Sequence, residues 1–188
     1  MTTPSIEPVD GRVCGPCFTC CVALRIETPE FRKPSATRCS HLDGADRCGI
    51  YETRYPICRS FFCGYRRTEM IHPALRPDAS GVLVRLRGGP SDPRGNGPLN
   101  ANFTILRPEG LEAEGLVESI SAAVKAEMQL YISVPSPPGS HPAVADVGDM
   151  LLFPVLAKNA EAIRAVLREI YEELAADPRL PIVRAARA

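Results

Sequence analysis

Eight cysteines are the residues best suited to chemistry in this chain: Cys14, Cys17, Cys20, Cys21, Cys39, Cys48, Cys58 and Cys63. All fall within the first 63 of 188 residues. Thiolates are soft ligands, suited to zinc, copper(I) or iron–sulfur clusters. A C-x-x-C step lets two sulfurs reach one metal across a tight turn. Two such steps run together in Cys14-Gly-Pro-Cys17-Phe-Thr-Cys20, with Gly15 and Pro16 as turn residues. Three thiolates can cap one metal or one face of a cluster, with the fourth arriving from a distance. Cys21 follows at once. In extended backbone, neighbouring side chains point to opposite faces. The pair Cys20-Cys21 is therefore expected to serve two different centres, or to leave one thiol as a spare or supporting group. In the first case the eight cysteines divide into two four-sulfur sites. The later intervals, between Cys39, Cys48, Cys58 and Cys63, are wider than in ordinary zinc fingers, so the module is expected to be mostly loops pinned by metal.

Compartment decides what such thiols do. The start, Met1 to Asp10, has neither the basic segment nor the apolar run of a secretory signal. No stretch approaches the ~20 apolar residues of a membrane helix. The expectation is a protein of the reducing cytoplasm with no membrane partner, where clustered thiols mean metal or redox chemistry more often than disulfides. Lys and Arg total 22 against 22 Asp and Glu, which argues against a nucleic-acid partner. The local balance differs. Residues 11–67 hold ten Lys and Arg against five acids. Eight thiolates around two divalent ions would carry a net charge of about minus four, which this surplus nearly cancels.

Other metal motifs fit less well. There is no C-x-x-C-H haem signature, and Cys21 replaces the ending of a ferredoxin run. His41, His72 and His141 are scattered, without the H-E-x-x-H spacing of a catalytic zinc site. One fuller pattern does stand out. Cys14, Cys17, Cys20 and Cys21 are followed by Cys39-Ser-His-Leu42, then Cys48-Gly-Ile-Tyr51, then Arg54-Tyr-Pro-Ile-Cys58-Arg-Ser-Phe61. This resembles the motif C-x-x-C-x-x-C-C, C-x-x-L, C-x-I-Y-x-x-R-P-x-x-C-R-x-F of the bacterial YkgJ-type cysteine-cluster family, described as zinc- or iron-chelating. Tyr55, inserted between Arg54 and Pro56, departs from the motif and leaves every cysteine in place. The resemblance covers about residues 14–65 and implies metal chelation. Some relatives look like flagellin lysine methylases, in which an iron–sulfur centre accompanies a methyl donor, but this sequence has no glycine loop to hold such a cofactor. Ile50, Tyr51, Phe61 and Phe62 read as the apolar shell of the site.

These residues must be positioned by the rest of the chain, which reads as α+β. Residues 1–12 are a loose lead-in, 13–70 a loop-rich cysteine and metal module, and 71–188 a small α+β region, separate or packed with the module as one unit. About two amphipathic helices and three to four short strands are expected. Val82–Arg87 and Asn102–Arg107 read as strands of a hairpin with a long connection, the Gly88–Gly97 stretch being turn material. Leu116, Val117, Ile120, Val124 and Met128 mark one helix; Ile163, Val166, Leu167, Ile170, Tyr171 and Leu174 mark another. Asn159 reads as the N-cap of that second helix, and Asp177-Pro178 as its end. Leu130–Val134 reads as a strand, followed by a proline-rich loop, and Met150–Phe153 as a further short strand.

The function these features predict is chelation of zinc or iron, with a metal-stabilised module and a protein partner or substrate of unidentified kind for the α+β region. The chain reads as a binding module rather than an enzyme. The alternative is an iron–sulfur protein in electron transfer or a methyltransferase-like protein modification.

Overall fold

Alternation along residues 82–105 builds the centre of the fold. In the computed structural model, which describes residues 8–88 and 97–177, short elements precede it: α1 (Thr19–Ala23), β1 (Ile26–Glu27), β2 (Arg32–Lys33), α2 (Pro56–Ser60), α3 (Gly64–Arg67) and α4 (Pro77–Ser80). The main body follows as β3 (Val82–Arg87), β4 (Asn100–Ile105), α5 (Leu116–Lys125), β5 (Gln129–Ser133), β6 (Val144–Asp146), α6 (Gly148–Leu156) and α7 (Ala160–Ala176). The fold is α+β. The lead-in residues 1–7, most of the Gly88–Gly97 stretch and Pro178 lie outside the described residues.

The main sheet has the order β3-β4-β5-β6. The expected hairpin is there: β3 and β4 pair antiparallel, with Val84 opposite Phe103 and Arg85 opposite Asn102. β5 then pairs parallel to β4. A parallel neighbour needs a crossover connection, and α5 supplies it. This register sorts the side chains. Val82, Val84, Leu86, Ala101, Phe103, Ile105, Leu130 and Ile132 share the face that joins the buried apolar core with α5, α6 and α7. Leu83, Arg85, Asn102, Thr104, Tyr131 and Ser133 share the other. α7 behaves as its periodicity predicts, burying Ile163, Leu167, Ile170 and Leu174, and Asn159 Oδ1 accepts a hydrogen bond from the Ala162 amide at 3.0 Å.

One expectation needs correction. Met150–Phe153 is helical, inside α6, and the fourth strand is Val144–Asp146 just before it. A four-residue apolar run carries no decisive period. Here Pro154 sits within the helix, and Met150, Leu152, Phe153 and Leu156 remain exposed while Leu151 and Val155 enter the core. The cysteine module is loop-rich, as expected. It carries α1, α2 and a two-stranded ribbon in which Ile26 pairs with Lys33.

The module is tied to edge strand β3 and to the segment after β5. Ser35 and Ser136 hydroxyls meet at 3.1 Å, and Arg67 Nη1 donates to the Leu86 carbonyl at 2.9 Å. Arg12 Nη1 donates to the carbonyls of Tyr65, Thr68 and Ile71, tying the chain before Cys14 to the chain after Cys63. At the junction, a Cβ on Gly64 would stand 2.8 Å from Val84 Cγ1. Gly64→Val is therefore expected to lower stability by about 1–3 kcal/mol through overpacking, read as a lower urea midpoint; an unchanged midpoint would show that this joint is loose. No helix among the described residues is long and apolar enough to cross a membrane.

Candidate metal centre

A groove of about 1450 Å³ separates the cysteine loops from the polar face of the sheet. Seven of the eight cysteines line it, Cys63 being the exception, and Arg85 and Asn102 belong to its floor. Asn102 Oδ1 accepts hydrogen bonds from Arg85 Nη2 (3.3 Å), Thr104 Oγ1 (3.0 Å) and Ser133 Oγ (2.8 Å), so these polar groups of the floor are bonded to one another.

Local backbone chemistry places the thiols. Gly15 adopts φ +53°, and the Cys17 amide donates to the Cys14 carbonyl at 2.9 Å, closing the turn that the first C-x-x-C predicts. Cys20 and Cys21 lie in α1, so their backbone is helical, not the extended form assumed from sequence. The Cys39 amide donates to the Cys21 carbonyl at 3.0 Å, which fastens the middle of the module to α1. A bridge between Leu42 and Cys48 closes the next loop. Cys58 lies in α2, and Cys63 precedes α3, its carbonyl accepting from the Arg66 and Arg67 amides.

All eight cysteines are free thiols. Their electrostatics couple near neighbours in the fold. Cys63 is pushed up to about 11, by burial first, with Cys14 and Cys17 adding to the shift. Cys20 is pushed well up by its hydrogen bond to Cys21, by burial, and by Cys21, Cys17 and Cys14. Cys58 is raised by burial and then by Cys21, Cys39 and Cys48. Cys20 thus neighbours Cys14, Cys17 and Cys21, Cys63 neighbours Cys14 and Cys17, and Cys58 neighbours Cys21, Cys39 and Cys48. The thiols gather around the groove without converging: among the described residues no three of the His, Cys, Asp and Glu side chains stand close enough to hold one ion.

The pair itself is asymmetric. Cys21 is lowered by the Cys20 thiol that hydrogen-bonds to it, with Lys33 and Arg54 assisting.

The surrounding side chains are partly those expected. Ile50, Tyr51, Phe61 and Phe62 line the groove. His41 sits in an aromatic group, its ring centroid 5.5 Å from Phe31 and 5.7 Å from Tyr55, with Nε2 3.4 Å from the Tyr55 hydroxyl. Of the local cations, Arg25, Arg38 and Arg47 pair with Glu27, Asp46 and Asp43. Arg54 lies over the Tyr51 ring. Arg66 Nη1 lies 3.6 Å from Cys14 Sγ, a contact that sequence spacing did not single out. No family model matches the chain, nor does any curated protein or solved structure.

Proposed function

We propose that this chain is a zinc- or iron-binding protein whose eight cysteines form two four-thiolate sites, Cys14/Cys17/Cys20/Cys63 and Cys21/Cys39/Cys48/Cys58. The observation that carries the reading is the gathering of seven free thiols around one groove; the thiols that perturb Cys20, Cys58 and Cys63 motivate the division, with the adjacent cysteines assigned to different sites. The resemblance of the cysteine motif to a zinc- or iron-chelating family supports it. So does the donor chemistry, since an all-thiolate set suits structural zinc or an iron–sulfur cluster. Ligation in either site requires side-chain rotation and tightening of the intervening loops. Such coupling of binding to folding is usual for thiolate sites. The role is structural chelation in a reducing cytoplasm, the α+β body meeting a protein partner or substrate.

The iron–sulfur alternative, with electron transfer or protein modification, shares these ligands. Absorption of anaerobically purified protein tests both. Thiolate–metal charge transfer should be present and vanish on acidification, as protons displace the metal from sulfur. A brown colour with broad absorption near ~400 nm selects the cluster, and a colourless protein selects zinc. A spectrum indifferent to acid would refute thiolate ligation.

A further inference from the structure

Lys33 is the one buried Lys, Arg, Asp or Glu side chain among the described residues, 4% exposed. Its position in the charged run Glu30-Phe-Arg-Lys33 reads as solvent-facing, yet β2 turns it inward. All three ammonium protons have acceptors: the carbonyls of Val22 (3.0 Å), Pro34 (3.0 Å) and Thr37 (2.8 Å). None of those acceptors carries a negative charge. Desolvating an ammonium without an anion is costly, and a neutral side chain of similar volume would fill the space with less penalty. Burial accordingly depresses the Lys33 pKa, while Cys39, Cys21 and Cys20 oppose that shift.

The three carbonyls also have a purpose in common. Val22 directly follows Cys21, and Thr37 stands two residues before Cys39. The same segments are joined by the Cys39 amide donating to the Cys21 carbonyl. One side chain therefore pins the backbone at two cysteines of the second set and delivers a fixed positive charge beside them. Four thiolates on a divalent ion leave a net negative site, which such a charge stabilises. The first set has a different cation at hand, Arg66 beside Cys14.

We propose that Lys33 is a positioning residue and built-in counter-charge for the Cys21/Cys39/Cys48/Cys58 site, with little effect on the other. This rests on the metal-binding reading above. The test uses full-length protein loaded with zinc as the probe, and compares wild type with Lys33→Gln, Lys33→Met and Lys33→Arg by chelator competition. Removing the charge should weaken one zinc equivalent about tenfold or more and leave the other unchanged. Lys33→Arg, which keeps the charge, should stay within about threefold of wild type.

A purely packing role predicts equal loss in Arg and Met variants, and that pattern overturns the proposal. Retention of both zinc ions at wild-type affinity in the neutral variants also overturns it. Should neither neutral variant fold, the Arg variant decides alone: weakening beyond threefold counts against the charge role, and retention supports it. Wild-type protein that binds no zinc or iron would instead defeat the metal reading itself, so the two failures are distinguishable.

Discussion

Cys20→Ser and Cys21→Ser should each cost the protein about one bound metal ion, and from different sites. Tetrahedral thiolate sites use four ligands, and the proposed division assigns the adjacent cysteines to different sites. Cys20 feels Cys14 and Cys17, while Cys21 acts with Cys39 and Cys48 on Cys58. The double variant should therefore lose about both ions where each single variant loses about one. Metal analysis of the three proteins checks this. A double variant no worse than either single one would mean that the pair serves a common centre. Two single variants with undiminished metal would mean that neither thiol is a ligand.

Removing metal should unfold the module and spare the sheet. Between residues 8 and 63 only Lys33 and Cys39 are buried, while the apolar core is built from residue 71 onward. A segment with so little buried apolar surface cannot be held by its own packing. Thiolate-bound zinc contributes ~10 kcal/mol or more of apparent folding free energy in small domains. After chelation, amide exchange should become fast across residues 14–63, and β3, β4 and β5 should stay protected. Equal protection of the module with and without chelator would show that metal is not what stabilises it.

How much of this was legible in the sequence depended on the range of the forces involved. α7 was readable because local features agree: a helical apolar period kept over seventeen residues, an Asn159 cap and an end at Asp177. β3 and β4 were readable because alternating residues face alternate sides. Met150–Phe153 was misread because a short apolar run suits helix and strand alike. What places it in a helix is tertiary: Leu151 and Val155 enter a core shared with α5 and α7. The approach of the cysteine loops was not legible: closures such as Cys39 to Cys21 and Leu42 to Cys48 join residues distant in spacing. Lys33 gave no sequence signal at all. Its burial is decided by carbonyls of its own loop and of Val22, eleven residues away, and side-chain type alone predicts the surface.

The central claim is that these eight thiols hold metal. Metal and acid-labile sulfide content, measured on untagged protein purified without oxygen, tests it most directly. About two zinc ions per chain without sulfide, or iron with near-equal sulfide, is the result predicted by two four-thiolate sites. A folded protein with no zinc or iron and eight freely titrating thiols would contradict it.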